Sequence, residues 1–193
     1  GCFATDAITV SVKPGPLADA GAAAETCKDV AYVMPAGHAS GTNGTFSWTE
    51  DGTGSITAGA TTLEPTYTPG LGETDDVTLT LRVTNTDALS PCNGEFVEST
   101  MVLTINDLPT PVITGADEVC EGDTEIYTTD TGAGIGNYVW SVTDGSLDSG
   151  QGTSSITVTW TGTAAPKVSV AYDDGNSCTA LPPTDYPVTV YAN

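Results

Sequence analysis

The chain has 193 residues, with 25 acidic side chains against 4 Lys and Arg, for a net charge of −21. Nucleic-acid binding needs clustered Lys and Arg to neutralise phosphates, so no nucleic acid is expected as a partner. An anionic lipid surface is excluded on the same ground. No run approaches the roughly 20 apolar residues of a membrane span, so direct membrane insertion is not expected either.

Residues 1–13 carry Cys2 and the alternating run Ile8-Thr-Val-Ser-Val12. They read as the last strand of a truncated preceding repeat, because Cys92 and Cys178 each lead into a similar strand, Met101–Ile105 and Val188–Val190. A first full repeat is expected over 14–107. Its strand signals are Pro16–Gly21, Val30–Met34, Thr45-Phe-Ser-Trp-Thr49, Pro65-Thr-Tyr-Thr-Pro69, Val77–Thr84 and Val97–Ile105. A second is expected over 108–193. It opens at Pro111-Val-Ile-Thr-Gly115 and continues through Ile126–Thr129, Asn137–Val142, Ile156–Trp160, Val168–Tyr172 and Tyr186–Tyr191.

The two repeats share landmarks: Cys27 and Cys120 are 93 residues apart, Trp48 and Trp140 92, Cys92 and Cys178 86. Such periods suit self-contained domains rather than solenoid units of about 20–50 residues. In Val77-Thr-Leu-Thr-Leu-Arg-Val83 the apolar residues alternate with Thr and Arg, as on a sheet with one buried and one wet face. Turn residues punctuate such runs every ten residues or so, and no helical periodicity occurs. The fold expected is all-β: tandem seven-stranded Greek-key sandwiches of immunoglobulin-like type, stacked end to end. Lys13-Pro-Gly-Pro16 and Asn106-Asp-Leu-Pro-Thr-Pro111 would be short, stiff joints.

Five cysteines, four of them at corresponding positions, indicate an oxidising compartment. Their spacings do not fit the closely spaced thiolates of a zinc site. Cys27–Cys92 and Cys120–Cys178 are expected as disulfides, because both repeats place the pair alike. An immunoglobulin-like sandwich normally puts its first turn and last hairpin at opposite ends. The bridge therefore requires Cys27 to lie on a strand that continues from the first and runs beside the last. Cys2 is expected to have no partner within the chain.

Catalytic signals are poor. The single histidine, His38, lies in the Gly-rich Ala-Gly-His-Ala-Ser stretch, without a nucleophile elbow or an orienting group. Catalytic residues are therefore expected to be none. Trp48, Trp140 and Trp160 could form a sugar platform, but at alternating strand positions they read as core, Trp160 least clearly. Calcium is the one cofactor to weigh. Asp117, Glu118, Glu121 and Asp123 surround Cys120, while Asp173 and Asp174, with Asn176, precede Cys178. A Cys120–Cys178 bridge would gather these carboxylates, which repel one another without a cation. No EF-hand loop or Asp-x-Asp-x-Asp run accompanies them.

Pro111-Val-Ile-Thr-Gly115 with a following Cys, Tyr138-Val-Trp-Ser-Val142 and Gly150-Gln-Gly-Thr-Ser-Ser-Ile-Thr-Val-Thr-Trp160 resemble the PKD-like, immunoglobulin-like repeats of Bacteroidota surface proteins. Trp48, Gly52-Thr-Gly54, Pro65–Pro69 and Val77–Leu81 are similar to a sister variety. The resemblance implies a non-enzymatic stalk segment of a very large cell-surface adhesin, of the kind used in gliding motility, exported to the bacterial cell surface. Its partners would be neighbouring repeats of the same chain and a surface polysaccharide or other surface. A carbohydrate- or protein-binding module and an accessory domain of a secreted hydrolase are the alternatives. In a bacterial protein the sequon Asn43-Gly-Thr45 carries little weight.

Overall fold

A computed structural model describes every residue except Phe3 and Leu89; among the described residues it has β-strands and no helix. The chain divides into two units, Gly1–Ile105 and Asn106–Asn193, each with its own core.

The first unit contains β1 (Leu17–Asp19), β2 (Ala24–Cys27), β3 (Tyr32–Val33), β4 (Ser40–Thr42), β5 (Thr45–Glu50), β6 (Ser55–Ala58), β7 (Thr66–Thr68), β8 (Val77–Thr84) and β9 (Phe96–Asn106). One sheet runs β2-β9-β8-β5 and the other β3-β7-β6, with β1 and β4 forming a separate pair. Register follows the alternation in the sequence. Trp48 stands opposite Leu81, and Leu79 opposite Met101, so Val77, Leu79, Leu81, Val83, Met101, Leu103 and Ile105 all face inward. Tyr67 and Met34 meet them from the second sheet's side, within one continuous core. Each such side chain contributes about 1.5–3 kcal/mol on burial.

The run Ile8–Val12 forms no ladder among the described residues. Ile8 is 90% exposed, Val10 76% and Val12 86%.

The second unit contains β10 (Glu118–Cys120), β11 (Thr124–Thr128), β12 (Gly136–Thr143), β13 (Gly145–Ser149), β14 (Ser155–Trp160), β15 (Lys167–Asp173), β16 (Thr184–Pro187) and β17 (Thr189–Tyr191). Its two main sheets are β11-β14-β13 and β12-β15-β16. β16 and β17 act as one last strand broken at Val188, and β10 pairs with its far half in parallel. Counted that way, the unit is a seven-stranded immunoglobulin-like β-sandwich. Its core gathers Trp140, Tyr127, Trp160, Ile156, Val158, Val168 and Val170.

Gly115 closes the Pro111-Val-Ile-Thr-Gly115 segment for a steric reason. The Tyr127 ring lies so close that a Cβ there would sit 2.2 Å from a ring carbon. Tyr127 Oη donates to the Ala116 carbonyl at 2.8 Å, and Tyr186 Oη to that of Gly115 at 2.9 Å.

Candidate functional site: the cysteine-bearing ends of each unit

In the first unit β2 lies beside β9, as the expected bridge required, but it advances in the wrong direction. The Ala20 amide donates to Ser99 Oγ at 3.0 Å, and Ala24 and Glu25 flank Thr104, so the segment runs parallel to β9. Cys27 therefore lies toward the end where the chain leaves the unit, the outlet. Cys92 lies in the β8–β9 turn, where the Glu95 amide donates to its carbonyl at 3.1 Å. That turn is at the opposite end, the inlet: Lys13 Nζ is 3.9 Å from the Asp87 carboxylate. There Lys13, Pro14, Asn43, Asn85 and Ser90 line an open hollow of about 430 Å³. From Thr104 back to Phe96 the strand spans roughly 26 Å at ~3.3 Å per residue.

The second unit repeats this layout. Cys120 is opposite Tyr191, at the outlet. Cys178 follows β15, and the inlet lies beside it: Asp130 Oδ2 accepts from the Val112 amide at 2.8 Å and from Tyr172 Oη at 3.1 Å. Val170 pairs with Thr184, so Cys120 and the β15 hairpin are separated by roughly 23 Å of strand.

The expected Cys27–Cys92 and Cys120–Cys178 bridges are accordingly not formed: Cys92 and Cys120 are free thiols, as is Cys2. Cys27 and Cys178 are disulfide-bonded. The sequence placed the right strand beside the right neighbour, but parallel pairing sends each first-turn cysteine to the far end.

The acidic groups follow their cysteines apart. Asp117, Glu118, Glu121 and Asp123 lie at the outlet, and Asp173 and Asp174 by the inlet hairpin. Asp123 Oδ2 accepts from the Cys120 amide at 2.9 Å. Asp173 accepts from Thr179 Oγ1 and, at 2.8 Å, from Asn137 Nδ2, and these bonds hold its carboxyl below the usual range. Asp174 Oδ1 accepts from the amides of Asn176 and Cys178, both at 2.9 Å. Among the described residues no three His, Cys, Asp or Glu side chains are grouped as a metal ion requires. The gathering of six carboxylates depended on a bridge that is not made.

His38 Nε2 donates to the Ala22 carbonyl at 2.9 Å. All three tryptophans are buried, Trp160 completely. Trp48 Nε1 donates to the Thr62 carbonyl and Trp140 Nε1 to that of Thr153, at 2.9 and 2.8 Å, so the two units hold their central indoles alike. Trp160 Nε1 donates to Tyr127 Oη at 3.2 Å. Asn43 adopts a left-handed backbone (φ 59°), and its amide donates to the Gly15 carbonyl at 3.0 Å.

Sequence reasoning missed one buried acid, Glu73, which is 8% exposed. Burial pushes its carboxyl up, but the amides of Thr53 and Gly70 and the Tyr67 hydroxyl together outweigh burial and hold it below its usual value. The Tyr67 hydroxyl is raised, by burial first and then by Glu73. The network ties the β5–β6 and β7–β8 loops together. Its sequence signal was Gly52-Thr-Gly54: a Cβ at Gly52 would stand 2.3 Å from Tyr67 Oη.

Residues 107–188 match the family model of a PKD-like domain. No curated protein matches the chain. Among solved structures, the fibronectin(III)-like modules of Clostridium thermocellum CbhA are similar at 12% identity and TM-score 0.36, covering 92% of this chain and 94% of that one. Rst D1-D2 is similar at 13% identity and TM-score 0.37, covering 93% and 100%. A Bacteroides ovatus glucan-utilisation protein, SGBP-B, solved with a mixed-linkage heptasaccharide, is similar at 12% identity and TM-score 0.33, covering 94% and 48%. The fold is that of immunoglobulin-like β-sandwiches, and the second of them is similar in sequence to a PKD-like domain.

Proposed function

We propose that this chain is a non-enzymatic structural segment, two repeats in the stalk of a large bacterial cell-surface adhesin, which holds a binding region away from the cell. The observation that carries this reading is the recurrence of one plan in both units: the same central indole bond, and one cysteine at each end. The oxidised Cys27 and Cys178 support an extracellular location, since disulfides persist in oxidising compartments. Burial of Trp48, Trp140 and Trp160 supports the stalk reading over a sugar platform built from these three indoles. Gliding motility and export by the type IX route belong to this proposal through the resemblance to Bacteroidota repeats.

The test is a domain swap in the native gene. Replacing residues 14–193 with two unrelated immunoglobulin-like domains of equal length should leave surface attachment intact, whereas deletion should weaken it. Loss of attachment in the equal-length swap, or binding of the isolated chain to a glycan array, would favour the ligand-binding module instead.

A further inference from the structure

From Lys13 onward the chain is anchored to the first unit. Lys13 Nζ is 3.9 Å from the Asp87 carboxylate, the Gly15 carbonyl accepts from the Asn43 side chain at 3.0 Å, and Pro16 is buried. Residues 4–12, by contrast, are all exposed. The run Ile8-Thr-Val-Ser-Val12 has the composition and alternation of a strand, yet among the described residues it has neither a ladder nor a core to enter. Residues 7–12 carry no charge, so nothing on the segment itself blunts its pairing with another strand.

Each unit shows what such a run does when it is covered. Both end in an alternating strand with a buried apolar side: Leu103 and Ile105 in the first unit, Val188 and Val190 in the second. Val10-Ser-Val12 repeats Val188-Thr-Val190. Val10-Ser-Val-Lys-Pro-Gly-Pro16 repeats Leu103-Thr-Ile-Asn-Asp-Leu-Pro-Thr-Pro111 with two residues fewer. The two last strands are flanked alike. β9 lies between antiparallel β8 and β2, while β16 pairs with antiparallel β15 and β17 with parallel β10. A second copy of this chain has no such place to offer, because its own β9 and β16–β17 fill both.

We propose that residues 6–12 are the last strand of another immunoglobulin-like sandwich, whose remaining strands are supplied by an earlier repeat of the same polypeptide. Ile8, Val10 and Val12 enter its core, and Thr9 and Ser11 face water. Its penultimate strand pairs with the segment antiparallel on one edge, and a short early strand pairs parallel on the other. This deepens the tandem-stalk reading and rests on it. Backbone then passes from the core of one sandwich into the next through Lys13-Pro-Gly-Pro16 alone, a joint stiffened by two prolines.

Hydrogen exchange followed by mass spectrometry tests this on two proteins: residues 1–193, and the same chain extended by the roughly 100 residues that its native gene encodes before Gly1. In the shorter protein the peptide covering residues 7–13 should exchange within seconds. In the longer one it should exchange at least about 100-fold more slowly, with β8 and β14 unchanged. Val10→Asp in the longer protein should remove that protection and leave β8 and β14 protected, so that loss of the strand is distinguished from unfolding of the two units. Equally fast exchange of the peptide in both proteins would overturn the inference, and so would protection that survives Val10→Asp. Protection already present in the shorter protein as a concentration-dependent dimer would assign the strand to a second copy and overturn it too. The domain swap leaves residues 1–13 in place, so its outcome does not depend on this strand.

Discussion

The side-chain amide of Gln151 clasps the backbone of Trp140 along one edge of β12. Its Oε1 accepts from the Trp140 amide and its Nε2 donates to the Trp140 carbonyl, each at 2.9 Å. One side chain thus supplies the two bonds that a neighbouring strand would supply to β12, whose ladder partner β15 covers only the other edge. The first unit fills the corresponding place with main chain: the Trp48 amide donates to the Ala60 carbonyl at 2.8 Å. An open edge is a template for pairing with another chain, and the clasp blunts it at mid-strand.

Gln151→Ala should destabilise the second unit by about 1–2 kcal/mol, since two bonds of about 1 kcal/mol each are lost and water restores part. Gln151→Glu keeps the acceptor and loses the donor, and should also be less stable than the parent. Urea denaturation followed by tryptophan fluorescence would measure both; equal midpoints in all three proteins would contradict the role given to the clasp.

Glu73 makes the first unit sensitive to acid. Its folded-state carboxyl titrates below the unfolded one, so its contribution to stability is present above the unfolded value and is lost as pH falls through the folded value. Denaturation midpoints measured between neutral pH and about pH 3 should fall more for the parent than for Glu73→Gln, which has no charge to lose. At neutral pH the variant should be the less stable, because it forfeits charge-assisted bonds to two amides and a hydroxyl.

The Tyr32 hydroxyl is buried without a hydrogen-bond partner among the described residues, and burial raises its pKa. Leaving such a group unsatisfied costs about 1–3 kcal/mol. Tyr32→Phe should therefore be neutral or stabilising in thermal denaturation, an unusual direction for a substitution at a core margin. A clear drop in melting temperature would mean that the hydroxyl has a partner in solution.

Gly115→Ala should destabilise the second unit by about 1–3 kcal/mol, because the new methyl would meet the Tyr127 ring, which is itself fixed against Trp160 and Tyr186. Tyr127→Ala in the same background should cost less than in the parent, since it removes the clash. Additive losses in a double-mutant cycle would disprove the steric account.

The long strands were legible in the sequence because they alternate cleanly. Val77–Thr84 is β8 residue for residue, and Ile156–Trp160 and Val168–Tyr172 lie within β14 and β15. The short ones were not. β10 has Val119 alone to bury, β6 is Ser-Ile-Thr-Ala, and β13 has Leu147 as its one large apolar residue. No period can be read from a single apolar residue. β10 and β2 matter out of proportion to their length, because their parallel direction decides where Cys120 and Cys27 go. Direction is a property of the assembled sheet, and alternation along a strand looks the same read either way. The acidic clusters were visible as composition, but their separation followed from that same direction.

The parallel pairing of β10 with β17 has a mechanical consequence. The chain enters the second unit just before β10 and leaves it just after β17, so tension on its termini pulls the two strands in opposite directions along their own axes. Their ladder, flanked by the bonds Thr189 N–H to the Asp117 carbonyl (2.7 Å) and Glu121 N–H to the Tyr191 carbonyl (2.8 Å), is then loaded in shear. All its bonds must yield together, where an antiparallel hairpin pulled from its open end would give way one rung at a time. A domain wired in this way resists extension by geometry, even with a core of ordinary size.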